Sequence, residues 1–244
     1  MRFFKLHVAA LGLAVGFAAN AANSANVTPD IIFGSGNSNG SFTITNFSAA
    51  GYNIELGLRG KLRYDDLGAP QSIYNWDGVD TYAIGERTSG TPANRSVFNY
   101  EWSVNVADTP FSIAQLISRG FRAEIGYDLD PTAGVNFSYY DPFAADAYYG
   151  TNSTPNGGGT YDNTGTPVAG TTVAQNSVNY GFIPGAPLSN GIYDISFNVY
   201  NPNNQQIGST RITISAVPVP AAGLLLLTAF GGLSLAMRRR RKLA

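Results

Sequence analysis

Carboxylates are the side chains on which any enzymatic chemistry of this chain would depend. The 244 residues include no Cys, and the single His is His7, close to the N-terminus. These absences exclude Cys and His nucleophile arrangements, Cys/His zinc sites and disulfides from the rest of the chain. A pair of carboxylates, acting as acid and base in the manner of glycosidases, is the arrangement that remains.

Two glutamates, Glu101 and Glu124, occupy the segments with the clearest strand pattern. Each is predicted to lie on the outward face of its strand, so the two carboxylates can meet only if the strands are neighbours. A carboxylate on the outer face of a strand is normally solvated and needs no catalytic role. The sequence therefore favours a protein that is not an enzyme.

Aspartates in loops suggest a small-ligand site of another kind, because hard cations prefer carboxylate and carbonyl oxygens on loops. The predicted calcium ligands are Asp128, Asp130, Asp141 and Asp146. A second group consists of Asn75, Asp77 and Asp80. Neither group matches the EF-hand loop pattern, and turn formation through backbone hydrogen bonds is the alternative role. Calcium is the only cofactor that the sequence suggests.

Aromatic residues crowd one short segment and raise the question of sugar binding. They are Tyr139, Tyr140, Phe143, Tyr148 and Tyr149. Exposed rings stack on the faces of sugars, whereas buried rings fill the core of a β-sandwich. Exposure of both tyrosine pairs would favour a carbohydrate-binding patch.

Alternation of apolar and polar residues dominates the chain from residue 40 onward and predicts the elements that carry these side chains. In residues 96–106 one face is aromatic or aliphatic and the other is polar, which predicts a strand packed on one side only. The other predicted strands are residues 42–47, 52–64, 121–129, 135–140, 178–182, 193–199 and 211–215. The predicted fold is all-β, a β-sandwich of jelly-roll or immunoglobulin-like type.

One short helix and one long loop complete the predicted domain. Thr109 is the expected N-cap, Pro110 suits the first helical position and Gly120 is expected to end the helix. Residues 150–176 are rich in Gly, Thr, Asn and Pro and predict a long surface loop. We expect a single extracytoplasmic domain over residues 22–215.

Charge is unevenly distributed along the chain. All 16 carboxylates lie in residues 22–215 together with eight of the 15 Lys and Arg residues, so the predicted domain has a net charge of −8. A surface of this sign repels phosphate backbones, and no nucleic-acid partner is expected.

The N-terminus has the layout of a secretory signal peptide. Two cations precede an apolar run over residues 8–19, and Ala19 and Ala21 supply the small residues that signal peptidase requires. Residues 1–21 are therefore the predicted leader, cut after Ala21. The Sec translocon and signal peptidase are the implied partners.

The C-terminus, residues 216–244, combines three features in a fixed order. A Pro-containing strip comes first and consists of Val217, Pro218, Val219, Pro220 and Ala221. An uncharged apolar run over residues 221–237 predicts a transmembrane helix. It is followed by the cations Arg238, Arg239, Arg240, Arg241 and Lys242. By the positive-inside rule the domain would lie outside the inner membrane and the tail in the cytoplasm.

This tail resembles the PEP-CTERM sorting signal in its VPxPA-type variant, although Val219 stands where the name-giving pattern has Glu. The resemblance implies cleavage by an exosortase, a membrane-embedded Cys transpeptidase of Gram-negative bacteria. It also implies an association with exopolysaccharide and biofilm matrices. An ordinary membrane anchor with a stop-transfer cluster is the alternative.

These observations together predict an exported protein with a structural or adhesive role. The chain would be anchored transiently in the inner membrane and then reach the cell surface or the extracellular matrix, where polysaccharide is a candidate partner. A secreted carbohydrate-active enzyme and a lectin-like carbohydrate-binding module are the alternatives.

Overall fold

The computed structural model describes residues 23–25, 27–33, 39–49 and 52–218, and these contain two β-sheets and one α-helix. The first six strands are β1 (Asn23–Ala25), β2 (Phe42–Ala49), β3 (Tyr52–Tyr64), β4 (Pro70–Ile73), β5 (Thr81–Ala83) and β6 (Phe98–Asn105). The helix α1 (Ile113–Ser118) follows. The remaining strands are β7 (Arg122–Asp128), β8 (Phe137–Tyr140), β9 (Ala147–Gly150), β10 (Thr160–Asp162), β11 (Val173–Asn179), β12 (Gly191–Tyr200) and β13 (Gln206–Ala216).

The strands form an eight-stranded sheet and a five-stranded sheet. The larger sheet has the order β1-β2-β3-β6-β11-β9-β10, with β4 paired to β3, and the smaller sheet has the order β5-β13-β12-β7-β8. The described pairs are antiparallel except for the pair of β5 and β13, which is parallel. Alternation of side chains along each strand therefore gives each sheet one face toward the other sheet and one face away from it.

The two sheets face each other across one aromatic and aliphatic core. Trp102 of β6 meets Phe197 of β12 edge to face, with ring centroids 5.8 Å apart. A Cβ atom at Gly60 of β3 would lie 2.9 Å from Ile214 of β13, so the absence of a side chain there lets the sheets approach. The mostly β fold with one short helix is confirmed.

The outer face of the larger sheet is covered, and this corrects the prediction that residues 96–106 pack on one side only. All eight residues of β6 are buried. Residues 27–33, which we call the strap, place Val27, Ile31 and Phe33 against Phe42 and Ile44 of β2. The polar residues of β6 that alternation places outward are thus enclosed beneath other parts of the chain.

Polar side chains of the sheet fix the strap to this outer face. The backbone N–H of Thr28 donates to Glu55 at 2.9 Å, and the N–H of Ile32 donates to Gln175 at 2.8 Å. Asn105 donates to the carbonyl oxygen of Thr28. Because three different strands supply these groups, the strap is bound across the sheet and is not paired with one edge.

Three predicted elements differ from the structure. Ser112, not Thr109, is the N-cap of α1 and forms a capping box with Gln115, whereas the Thr109 hydroxyl donates to Val106 in the preceding turn. The strand predicted at residues 178–182 is the end of β11 followed by a 3₁₀ helix, Tyr180–Phe182. The predicted loop 150–176 contains β10 and the first residues of β11.

Candidate functional site

Glu101 lies on the outer face of its sheet, as predicted, but it is buried in an ionic cluster with Arg59 and Lys61, which corrects its predicted solvation. Glu101 lies directly opposite Arg59 in the β3–β6 ladder and forms ion pairs with both cations. The three side chains are 0%, 0% and 3% exposed for Glu101, Arg59 and Lys61. The Arg59 guanidinium also packs over the rings of Phe42 and Tyr74, 4.1 and 4.2 Å from their centroids.

The electrostatics of this ionic cluster keep Glu101 ionised. Desolvation raises the pKa of the Glu101 carboxyl, but the charges of Arg59 and Lys61 and hydrogen bonds from Lys61 and Ser177 outweigh it, so the pKa lies below its ordinary value. Desolvation lowers the pKa of Lys61, against the opposing effect of Glu101. A glycosidase acid needs a raised pKa and access to substrate, and Glu101 has neither.

Glu124 does not lie near Glu101. It belongs to β7 in the smaller sheet, where its neighbours in sequence, Ala123 and Ile125, point into the core. Its carboxylate pairs with Arg122 at 3.0 Å on the outer face and accepts a hydrogen bond from Tyr200. Because Glu101 is on the outer face of the other sheet, both sheets separate the two carboxylates. A cooperating acid and base cannot be assembled from them.

The structure does not bring the four predicted calcium ligands together. Asp128 ends β7 and Asp141 follows β8, so they lie at opposite ends of one hairpin. Asp128 is buried and accepts hydrogen bonds from the N–H groups of Asp130 and Asn136, at 3.0 and 2.7 Å. Asp130 accepts from Thr132 at 2.9 Å. These are turn-forming roles, and binding of calcium stays a prediction.

Asp141 and Asp146 occupy separate positions near the start of β9. Asp141 accepts the N–H of Phe143 at 2.8 Å, and Asp146 is exposed. In the second predicted group, Asp77 accepts N–H groups of Val79, Asp80 and Thr81, at 2.8 to 3.1 Å. Within the described residues, no three acidic or His side chains are arranged to hold a metal ion.

The crowded aromatic segment divides between the core and the surface. Phe143 and Tyr149 are buried, Tyr140 and Tyr148 are half-buried, and Tyr139 is 50% exposed. The two tyrosine pairs are therefore not both exposed, as the sugar-binding interpretation required. Alternation explains the division, because Tyr149 points to the core side of β9 and Tyr148 to the opposite side.

Tyr148 instead lines a groove with residues from distant parts of the chain. This aromatic groove has a volume of about 790 Å³ and is lined by Tyr140, Asp146, Tyr148, Tyr161, Asn176 and Phe182, among others. Tyr161 of β10 lies opposite Tyr148 in the ladder, with ring centroids 5.1 Å apart. Tyr161 and Phe182 are 49% and 60% exposed. The guanidinium of Arg95 covers one face of the Phe182 ring, 4.1 Å from its centroid, and the remaining surface of both rings is open on this side of the molecule.

Sequence reasoning missed Tyr161 and Phe182 as members of a site. Tyr161 falls in the segment predicted to be a loop, and Phe182 ends the segment predicted to be a strand. β10 has only three residues, too few for alternation to be visible. The one available signal was Tyr161 itself, an aromatic residue surrounded in sequence by Gly, Thr and Asn, in a segment that is not predicted to contribute to the core.

The predicted sorting and leader residues lie mostly outside the described residues. Only Val217 and Pro218 of the Pro-containing strip are described; they follow β13 directly, and Pro218 is exposed. The leader with Ala19 and Ala21, the rest of the strip (Val219, Pro220 and Ala221), the apolar run 221–237 and the cations 238–242 lie outside. In the part of the chain that the structure describes, helices are too short or too polar to cross a bilayer.

Comparison with known proteins adds no relative to this description. No known protein family matches the chain, and no curated protein matches it either.

Proposed function

We propose that this chain is an exported surface or matrix protein of a Gram-negative bacterium, sorted through its C-terminal tail by an exosortase. The observation that carries the proposal is the order of three features in residues 216–244: a Pro-containing strip, an uncharged run and a terminal group of five cations. The leader at residues 1–21 supports export through Sec. The inner membrane would hold the chain only until the tail is processed.

The end of the folded domain is compatible with processing at this strip. Ala216 is fully buried as the last residue of β13, and the chain becomes exposed two residues later, at Pro218. Pro218 and Pro220 disfavour helix in the residues before them and favour extended backbone. An extended, exposed backbone is what a peptide-cleaving enzyme binds.

The role proposed for the domain is structural or adhesive and not catalytic. Support comes from the two glutamates that an enzyme would need, because one is enclosed in an ionic cluster and the other lies on the far side of both sheets. We propose that the two sheets form a β-sandwich of jelly-roll or immunoglobulin-like type. Such a domain presents loops and sheet faces for contact with extracellular polymers.

Intact-mass measurement of the surface-exposed protein tests the sorting proposal. The mature protein should lack Arg238 to Arg241 and Lys242, and a chain with Pro218→Ala and Pro220→Ala should accumulate in the inner membrane at full tail length. A host without exosortase should give the same result for the unaltered chain, since the chain has no Cys to cleave itself.

The control variant is Pro155→Ala, which alters an exposed loop proline far from the tail in sequence. It should be processed like the unaltered chain. If the surface-exposed protein still carries the five cations, the tail is an ordinary anchor and the sorting proposal is wrong. If the chain with Pro218→Ala and Pro220→Ala is processed as completely as the Pro155→Ala control, the strip is a spacer and not a recognition site.

A further inference from the structure

The aromatic groove lies where the larger sheet changes width. β9 pairs with β11 only over residues 173–175, so among the described strands none covers the side of β11 at residues 176–178. The groove runs along this side, and Asn176, Ser177 and Val178 line it. A step in a sheet edge of this kind creates a concave surface without a deep cavity.

The walls of the groove combine flat rings with hydrogen-bonding groups. Tyr148 and Tyr161 form a tilted pair on the outer face, with an interplanar angle of 48°. Asp146 lines the groove together with Tyr161. Burial, then a hydrogen bond and the charge of Asp146, raise the pKa of the Tyr161 hydroxyl. The hydroxyls of Tyr100 and Tyr140, 2.9 Å apart, add polar groups deeper in the groove.

The polar groups of the groove disfavour a peptide that would extend the sheet. Strand addition needs free backbone N–H and C=O groups along the edge. The N–H of Ser177 is already bound by the side chain of Asn176, at 2.7 Å. The amide nitrogen of the same Asn176 side chain donates to the backbone oxygen of Asp146. The Asn176 side chain therefore occupies the position that an added strand would take.

The charge of the groove selects among the remaining ligands. Asp146 is the one charged residue among the described residues that line it, and the guanidinium of Arg95 lies over the Phe182 ring, 4.1 Å from the ring centroid. The domain around it has a net charge of −8. The Asp146 carboxylate and the Arg95 guanidinium leave the groove without an excess of either sign, and the net charge of the domain disfavours anionic chains, including acidic polysaccharides. A carboxylate remains a good acceptor for hydroxyl groups.

We propose that the aromatic groove binds a neutral polysaccharide, whose sugar rings stack on the exposed faces of Tyr161 and Phe182 and whose hydroxyls donate to Asp146. The C–H groups of a pyranose face are slightly positive and pack on the negative face of an aromatic ring. The volume of about 790 Å³ falls within the range of natural small-ligand sites. The biological role of this binding rests on the proposed function, because only an exported domain meets such polymers.

Affinity electrophoresis of the full chain through gels containing a polysaccharide tests the proposal. The probes are dextran, mannan and a mixed-linkage β-glucan, with alginate as the anionic comparison. The protein should be held in a detergent without a sugar head group, because maltoside or glucoside detergents would compete for the groove. We expect retardation by at least one neutral probe and none by alginate.

The variants Tyr161→Ala and Phe182→Ala should each weaken binding by about tenfold or more, as expected for an exposed aromatic contact. The matched control is Tyr139→Ala, because Tyr139 is 50% exposed, like Tyr161, but lies on the smaller sheet outside the groove. Its affinity should stay within about twofold of the unaltered chain. The unfolding midpoints of all three variants should be measured to show that each is folded.

Three outcomes would overturn the proposal: no retardation by any neutral probe, equal loss of affinity in the Tyr139 variant, or stronger binding to alginate than to the neutral probes. The Asp146→Asn variant should bind alginate better than the unaltered chain does, and an unchanged preference would also contradict the proposal. These results are independent of the tail. A chain that is processed but binds no glycan refutes the groove alone, and a chain that binds glycan but keeps its tail refutes the sorting alone.

Discussion

Replacing Glu101 with Gln is expected to destabilise the domain strongly. The change leaves the Arg59 and Lys61 cations, 0% and 3% exposed, without the anion that compensates them. Removing one partner of a buried ion pair costs about 3–5 kcal/mol, most of it from the charge that stays buried. Two cations share this carboxylate, so we expect a loss at the upper end of that range.

Urea denaturation followed by tryptophan fluorescence measures this loss. With a slope of about 2 kcal/mol per M, the midpoint should fall by about 2 M. The control is Glu124→Gln, because the ion pair of Glu124 with Arg122 is partly exposed and a pair of that kind contributes at most about 1 kcal/mol. The midpoint of this control should move by less than about 0.5 M.

A second variant separates loss of charge balance from loss of packing. Replacing the three members of the ionic cluster together, by Arg59→Met, Lys61→Met and Glu101→Leu, removes all the buried charges at once. Apolar replacement of a buried ionic group is often neutral for stability. The urea midpoint of this triple variant should therefore be close to that of the unaltered chain and well above that of Glu101→Gln. If Glu101→Gln leaves the midpoint unchanged and instead abolishes an activity on polysaccharide, the reasoning is wrong and Glu101 is catalytic.

Three further outcomes are expected. Burial raises the pKa of Glu55 above its ordinary value, so its contribution to stability declines as the pH rises through that raised value; the urea midpoint of Glu55→Gln relative to that of the unaltered chain should therefore increase between pH 4 and 7, and a constant difference between the two proteins would contradict this. Addition of EDTA or a reductant should leave the melting temperature unchanged, whereas a fall of more than a few degrees with EDTA would establish a cation at Asp128 and its neighbours. N-terminal sequencing of the exported protein should begin at residue 22, and detection of Met1 would refute the predicted leader.

Strand positions were predictable where one face of a strand is apolar. β3 was predicted with its observed bounds, and β12 and β7 to within two residues at either end. Alternation of apolar and polar residues indicates which side chains share a face of a strand. It cannot show whether another part of the chain covers the polar face. Burial of Glu101 could not be predicted, because it depends on Arg59, which is 42 residues away in sequence, and on the rings of Phe42 and Tyr74 that pack on Arg59.

The aromatic groove was only partly predictable for the same reason. Tyr140 and Tyr148 were identified as candidates from their crowding in one segment, but Tyr161 and Phe182 come from segments with other predicted structures. Pairing of β10 with β9 brings Tyr161 to Tyr148, and the register of that pairing is a property of the folded sheet. The sequence shows which residues are aromatic and could contact a ligand. It does not show which other residues lie beside them in the folded sheet.

The short distance between β13 and the Pro-containing strip sets how far the domain can stand from the bilayer. Ala216 is held by pairing with Gly191, and Val217 already belongs to the strip. Four extended residues, 217–220, reach about 14 Å at most. Under the proposed sorting, the end of β13 would therefore lie within about 14 Å of the membrane surface, and the domain would stay close to the lipid head groups. An exosortase that cleaves at the strip would have to reach it between the domain and the membrane surface. Insertion of a few Gly-Ser residues after Ala216 would increase this separation.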